Sequence, residues 1–207
     1  MSGKQQIIYW DTSVLLAWIK DEPRPNNEMD GVNDIAEKIY KNNIVLLTSA
    51  LTDTEVLDSM LNDSQKQKYT DFFKHPNCQK VDVDPKIIQL TSNIRDYYQQ
   101  QKLANNTPAI TVPDAIHLAT AIYYEANEFH TFDGGKKGGI SLLSLNGNVA
   151  GNPLVVCKPP IPPQPSLNLV INKDVHVQEV IEHNGNIKGH EEEQKKETRP
   201  KRKFDFE

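Results

Sequence analysis

The sequence predicts an α/β fold: a three-layer α/β/α sandwich around a short, mainly parallel central sheet, followed by a proline-rich linker and a flexible C-terminal tail. Short apolar segments alternate along the chain with longer segments whose apolar residues recur at helical spacing. Strands that are separated by helices form a parallel sheet with helices on its faces. From residue 159 onward, proline and charged residues replace this pattern. The folded domain is therefore predicted to end near residue 158.

The predicted strands are short and apolar. Residues 7–10 (IIYW) and 44–47 (IVLL) have the continuous apolar runs that are typical of buried parallel strands. The other predicted strands are 128–132, 154–157 and a short edge strand at Val81 and Val83.

The predicted helices lie between these strands. Residues 32–40 repeat apolar side chains at helical spacing, whereas residues 21–31 (DEPRPNNEMDG) are predicted to form a loop. The clearest helix is 113–126, because proline at its first position lacks only an N–H that would have no helical partner anyway. The remaining predicted helices are 12–19, 52–60, 64–74 and 85–101.

Composition limits the possible classes of protein. The chain has 207 residues, a net charge of −5 and a hydrophobic fraction of 37%, which suits one domain with an appendage that adds little to the core. A chain with a net negative charge is not expected to bind nucleic acid by its overall charge alone. A nucleic-acid-binding role would need a bound cation to offset the negative charge locally. Cys78 and Cys157 have no paired spacing that predicts a disulfide or a zinc site.

Further features predict a cytoplasmic protein with two segments after the domain. The N-terminal apolar run is too short for a signal peptide, and no stretch has the ~18 apolar residues of a membrane span. Residues 159–166 contain PPIPPQP and are predicted to be an extended linker. Residues 167–207 are predicted to be mostly disordered, because their charged end has too few apolar residues to offset the entropy of ordering.

Four carboxylates occupy the ends of predicted strands or the starts of predicted helices. Asp11 and Asp133 directly follow strands, whereas Glu55 and Asp114 lie near the starts of helices. Each has an ordinary explanation as a cap, a first-turn charge, a surface residue or a turn residue. Because ligands bind beyond the carboxyl ends of parallel strands, we expect the four to share one edge of the sheet. There they would repel unless protonated or bridged by a cation, and a hard divalent ion prefers such oxygen ligands.

Three segments resemble the motif blocks of PIN domains, in particular of the VapC-type toxin ribonuclease branch. They are IIYWDTSVLLAWI, TSALTDTEVLDSML and VPDAIHLATAIYYEANEFHTFD, and the resemblance covers roughly residues 6–158. It implies a PIN-like fold and a metal-dependent endoribonuclease that cleaves RNA with bound Mg²⁺ or Mn²⁺. The implied metal ligands and catalytic residues are Asp11, Glu55, Asp114 and Asp133. It also implies a toxin with an antitoxin partner, and a homodimer.

Several other residues are candidate substrate contacts: Thr12, Ser13, Arg95, His117, Thr131, Lys136 and Lys137. His117 lies one turn after Asp114 and either orients an acidic ligand, contacts the substrate or is a packed helix histidine. Arg95 either reaches a phosphate or forms a surface ion pair. Between Asp133 and Leu142 the glycine-rich segment GGKKGGIS is longer than the family pattern, which could reshape access to the site.

Phosphotransfer enzymes and receiver domains also have an acidic pocket at strand ends. A haloacid-dehalogenase-type phosphotransferase needs a second Asp two residues after the first, but Ser13 occupies that position. A receiver domain needs paired acids near its start and a late lysine, which do not fit. A PIN-like module that binds RNA or protein without catalysis remains an open alternative.

Overall fold

The structure is a computed structural model that describes residues 5–135 and 139–163. Its sheet consists of five parallel strands in the order β3-β2-β1-β4-β5. The strands are β1 (Gln6–Trp10), β2 (Ile44–Ser49), β3 (Cys78–Val81), β4 (Glu128–His130) and β5 (Val155–Cys157). The helices are α1 (Thr12–Lys20), α2 (Glu28–Tyr40), α3 (Leu51–Leu57), α4 (Asp63–Phe72), α5 (Pro85–Asn105) and α6 (Val112–Tyr123).

Each face of the sheet carries its own hydrophobic core. On one face Trp10 packs with Trp18 and Phe72 among residues of α1 to α4. On the other face Tyr9 stacks on Phe129, with ring centroids 5.1 Å apart, among residues of α5 and α6. Neighbouring strand residues point to opposite faces, so both faces of β1 are buried. The predicted three-layer α/β/α sandwich with a parallel sheet is thus confirmed.

The central position of β1 determines where the site lies. β1 pairs with β2 on one side and with β4 on the other. The backbone N–H of Asp11 then donates to the carbonyl of His130 at 3.1 Å. Because all five strands run in the same direction, the residues that follow β1, β2 and β4 meet at one edge of the sheet.

Some element boundaries differ from the predictions. The predicted loop 21–31 contains a short 3₁₀ turn, Pro25–Asn27, and the start of α2, whose first turn carries Glu28 and Asp30, two charges favoured at a helix N-terminus. The predicted edge strand at Val81 and Val83 is instead β3, which begins at Cys78 and ends at Val81 after pairing with β2.

Two further differences lie near the end of the domain. β4 ends at His130, two residues earlier than predicted, since the N–H of Phe132 donates to the Ser13 hydroxyl instead of to a strand. A second 3₁₀ turn, Leu142–Leu145, precedes β5 and buries Leu142 and Leu145.

The chain remains packed on the domain for at least one residue beyond the predicted boundary. Pro159 is buried, and its carbonyl oxygen lies 2.5 Å from the position that a Cβ atom on Gly31 would occupy. The predicted tail, 167–207, and the last part of the predicted linker lie outside the described residues. Among the helices that are described, none combines the length and apolar character needed to cross a membrane.

Candidate metal centre

The predicted acids share one open cavity of about 530 Å³ at the carboxyl edge of the sheet. Its lining includes Asp11, Glu55, Asp114 and Asp133. They come from the ends of β1 and β4 and from helices α3 and α6. The shared edge expected from the positions of these residues in the sequence is therefore present in the structure.

Asp11 is the most deeply placed of the four acids. Its side chain is 5% exposed and caps α1 by accepting from the N–H of Val14 at 3.1 Å. The same oxygen accepts from the Ser13 hydroxyl at 2.6 Å, and the other accepts from the Thr131 hydroxyl at 2.5 Å. Burial raises the pKa of Asp11, although these hydrogen bonds and the nearby His117 act in the opposite direction. A buried carboxylate of this kind gains from a nearby cation.

Ser13 and Thr131 form a framework around Asp11. Beyond donating to Asp11, Ser13 accepts from the N–H of Phe132 at 2.9 Å. Thr131 accepts from the N–H of Asp133 at 2.8 Å. The two hydroxyls were predicted as possible substrate contacts, and the structure shows that they connect Asp11 to the loop that carries Asp133.

Glu55 is held by a chain of buried polar groups. Its Oε2 atom accepts from the Thr12 hydroxyl and lies 2.9 Å from Nε2 of His117. Burial raises the pKa of Glu55, but the hydrogen bond and charge of His117, with the Thr12 bond, outweigh it and lower the pKa overall. Glu55 is thereby kept ionised and oriented toward the cavity.

Tyr9 lies behind His117 and completes this chain. His117 is 3% exposed, and its Nδ1 lies 2.7 Å from the hydroxyl of the fully buried Tyr9. That hydroxyl accepts from the N–H of Ser49 at 3.0 Å, so its own proton is free to be donated to Nδ1. When His117 is neutral, its Nε2 then carries the proton that is donated to Glu55. Of the three roles predicted for His117, the structure supports the orientation of an acidic ligand.

Asp114 and Asp133 are more exposed than Asp11. Asp114 lies in the first turn of α6, where its Oδ2 accepts from the hydroxyl of Thr111, the N-cap residue, at 2.5 Å. Oδ1 of Asp133 accepts from the N–H of Gly135 at 2.8 Å. Each carboxylate also has an oxygen atom that is not engaged in these bonds and is available to a ligand.

The other predicted contacts have different outcomes. Thr12 lines the cavity and binds Glu55. Arg95 is exposed on α5 and does not belong to the cavity lining. Lys136 and Lys137 lie outside the described residues.

Arg24 is a cavity residue that the sequence did not single out. Its guanidinium lies 3.7 Å from the centroid of the Phe132 ring. Its terminal nitrogens form ion pairs with carboxylate oxygens of Glu22 and Glu28, at 3.6 and 3.7 Å, which is too long for hydrogen bonds. Its buried Nε has no hydrogen-bond partner among the described residues. Its position in a proline-rich loop carries no periodic signal, so only the folded chain reveals it.

The donor set fits a hard divalent cation, because four carboxylates and several hydroxyls face one solvent-accessible cavity. The four carboxylates line this cavity without forming a tight cluster. A tight cluster among the described residues is formed instead by Glu128, His130 and Cys157. Each of these three side chains offers one potential ligand atom within 4.8 Å of the other two. Mutual repulsion favours separation of ionised carboxylates, and a bridging cation offsets that repulsion.

The chain is similar to one known protein family and to several solved structures. The PIN domain family matches residues 8–135. Similar solved structures include VapBC2 from Rickettsia felis bound to a DNA fragment from its promoter, at 19% identity and a TM-score of 0.47, over 61% of this chain and 87% of that one. FitAcB from Neisseria gonorrhoeae has 21% identity and a TM-score of 0.48, over 73% of this chain and 97% of that one. A toxin-antitoxin complex from Klebsiella pneumoniae has 18% identity and a TM-score of 0.42, over 65% of this chain and 96% of that one. No curated protein matches the chain.

Proposed function

The chain belongs to the PIN domain family, a family of nucleases, and on that basis we propose that it is a metal-dependent endoribonuclease. It would hydrolyse phosphodiester bonds of RNA in the cavity at the carboxyl edge of the sheet. The observation that carries this proposal is the convergence of Asp11, Glu55, Asp114 and Asp133 on that cavity.

In this proposal, Asp11 and Asp114 are the main ligands of Mg²⁺ or Mn²⁺, and Glu55 and Asp133 complete the site directly or through water. A bound divalent ion would polarise the scissile phosphate and lower the pKa of a water molecule. The chain's own contribution is to hold the carboxylates in place before a substrate arrives. Ser13 and Thr131 fix Asp11, whereas Thr12 and His117 fix Glu55.

Arg24 is proposed to bind a phosphate of the RNA. Its buried Nε has no hydrogen-bond partner among the described residues, its terminal nitrogens form only long ion pairs, at 3.6 and 3.7 Å, and its guanidinium packs on the Phe132 ring at the cavity wall. A guanidinium matches the geometry of phosphate oxygens, and it supplies the positive charge that an acidic chain otherwise lacks here. Lys136 and Lys137, close in sequence to Asp133, would extend this contact along the phosphate backbone of the RNA.

The substrate is proposed to be single-stranded or looped RNA. The scissile phosphate has to reach carboxylates that line a recessed cavity, and an unpaired strand bends into such a site more readily than a duplex. Proteins also recognise RNA mostly through unpaired segments. The products would carry a 5′-phosphate and a 3′-hydroxyl if the chain follows the family pattern.

The biological role is proposed to be that of the toxin of a toxin–antitoxin pair, acting in the cytoplasm as a homodimer until a small antitoxin protein covers the acidic cavity. This role rests on the resemblance of the three motif blocks to the VapC-type branch. A test is expression in a bacterial host, where the wild-type chain should arrest growth and Asp114→Asn should not. Equal growth with both proteins at equal levels would contradict the toxin role and leave the nuclease proposal standing.

The alternative is a PIN-like module that binds RNA or protein without cutting. The decisive experiment incubates purified protein with total RNA in Mg²⁺, Mn²⁺ or EDTA and maps the new ends. Cleavage that needs the metal and leaves 5′-phosphates supports the nuclease. RNA binding without cleavage under all three conditions supports the alternative, and faster cutting of duplex DNA would refute the RNA preference.

A further inference from the structure

A second cluster of metal-ligating side chains lies on β4 and β5, outside the acidic cavity. Glu128 and His130 are two residues apart on β4, and Cys157 is the register partner of His130 on β5. Phe129 and Val156 belong to the core beneath α5 and α6. By strand alternation the three clustered side chains therefore face the opposite side of the sheet, the side of α1 and α2.

The three side chains already approach one another. Oε2 of Glu128 lies 2.7 Å from Nε2 of His130 and 4.0 Å from Sγ of Cys157. One ligand atom from each lies within 4.8 Å of the other two. Glu128 and Cys157 are partly exposed, so an ion can reach the cluster from solvent, whereas His130 is fully buried.

His130 is not satisfied by its described neighbours. Its Nε2 is paired with Glu128, but its Nδ1 is buried and has no hydrogen-bond partner among the described residues. A buried polar atom without a partner costs free energy, so the hydrogen bonding of His130 is incomplete. The nitrogen that faces Glu128, and that would bind an ion there, is Nε2.

We propose that Glu128, His130 and Cys157 form a binding site for a borderline-soft divalent ion such as Zn²⁺. A carboxylate, an imidazole and a thiolate are the ligand types that Zn²⁺ takes, and three protein ligands leave the fourth position to water. Mg²⁺ prefers oxygen ligands alone, so the ion proposed for the acidic cavity would not compete well here.

The proposed ion would link β4 to β5, close to the carboxyl edge of the sheet. The N–H of Thr131 donates to the carbonyl of Cys157 at 3.0 Å, and the carbonyl of His130 accepts from the N–H of Asp11 at 3.1 Å. An ion held by His130 and Cys157 would therefore stabilise the strand pair that carries Thr131. Its effect would appear in stability, independently of whether the acidic cavity cuts RNA.

Cobalt(II) titration of the reduced full-length protein tests the site, because Co²⁺ replaces Zn²⁺ and gives a thiolate-to-metal charge-transfer absorption. We expect this absorption in the wild type and in Asp114→Asn, which lacks one acid of the cavity. It should disappear in Cys157→Ser and persist in Cys78→Ser. Cys78 is the matched control, since it lies in the core on the opposite edge strand, β3, and does not belong to the cluster.

A second variant, Glu128→Gln, tests the site even if Cys157→Ser fails to fold. It should keep the absorption but weaken Co²⁺ binding about tenfold or more, as expected when a ligand or its close partner is lost. In thermal melts, Zn²⁺ should raise the melting temperature of Asp114→Asn, and this rise should be lost when Cys157→Ser is added to Asp114→Asn. Absence of the absorption in the wild type, or its persistence in a folded Cys157→Ser protein, would overturn the proposal.

Discussion

At the scale of the residue, the four acids and several polar residues near them could be singled out from the sequence, but Tyr9 could not. Asp11, Glu55, Asp114 and Asp133 stand out because strand ends and helix starts are visible in the sequence. Tyr9 does not, because in IIYW it has the character of one more buried strand residue. Its contact with His117 joins residues 108 positions apart and exists only after β1 and α6 have packed.

Asp11 should make stability depend on pH in a defined direction. Because burial raises its folded pKa, protonation of Asp11 stabilises the fold, fully below the unfolded pKa of ~3.9, and this stabilisation is lost as the pH rises through the raised value. In EDTA, the stability of Asp11→Asn relative to the wild type should therefore be higher at pH 7 than at pH 3.5, by about 1.4 kcal/mol per pH unit of the shift. This relative advantage should be smallest at pH 3.5. Urea unfolding at both pH values measures it, and an advantage that is constant or larger in acid would contradict the assignment.

Tyr9→Phe tests the chain of groups behind Glu55. It removes the hydroxyl that accepts from Ser49 and contacts His117, leaving a buried N–H without a partner. We expect a loss of about 1–3 kcal/mol of stability and a loss of about 10–100-fold in metal-dependent cleavage. The matched control is Tyr98→Phe, whose hydroxyl accepts from Ala150. If the two variants, compared at equal folded fraction, cleave equally well, Tyr9 does not position the site.

At the scale of the element, order and type of the strands and helices followed from apolar periodicity, whereas boundaries followed from contacts between distant segments. β4 was predicted to reach residue 132, but it ends at His130, since the N–H of Phe132 donates to the Ser13 hydroxyl. α2 begins four residues before the predicted start, inside a loop rich in proline and asparagine. Such contacts cannot be read from local pattern.

Gly31→Ala tests the packing of α2 against the end of the last strand. A Cβ atom at this position would lie 2.5 Å from the carbonyl oxygen of Pro159, which is backbone and cannot rotate away. We expect the substitution to destabilise the fold by about 1–3 kcal/mol despite the better helix propensity of alanine. Gly134→Ala is the control, since a Cβ there meets nothing within 4 Å. Equal unfolding free energies of the two variants would show that Pro159 does not pack on α2.

At the scale of the whole molecule, the described core is complete before the proline-rich segment. The buried hydrophobic residues of the two cores lie between Ile8 and Val156. The sequence has a matching pattern, since its apolar periodicity stops where the prolines begin. It could not predict the cluster on β4 and β5, since Cys157 and His130 become neighbours only through strand register.

A chain ending at residue 166 should therefore fold and cut RNA like the full chain. We expect cooperative unfolding and an unfolding free energy within about 1 kcal/mol of the full-length value, because both cores of the described residues lie before residue 166. Chemical denaturation and the RNA cleavage assay measure both properties. An insoluble or non-cooperative product would show that residues beyond 166 belong to the fold.

The central claim is that the acids at the carboxyl edge form a metal centre that cleaves RNA. The most direct test compares Mg²⁺-dependent cleavage of one labelled RNA by the wild type, Asp114→Asn and Asp63→Asn. Asp63 is the matched control, an exposed acid in the first turn of α4, outside the cavity. We predict cleavage by the wild type and Asp63→Asn, a loss of at least about 100-fold in Asp114→Asn, and none in EDTA. Equal cleavage by a folded Asp114→Asn protein, or cleavage that persists in EDTA, would contradict the metal centre.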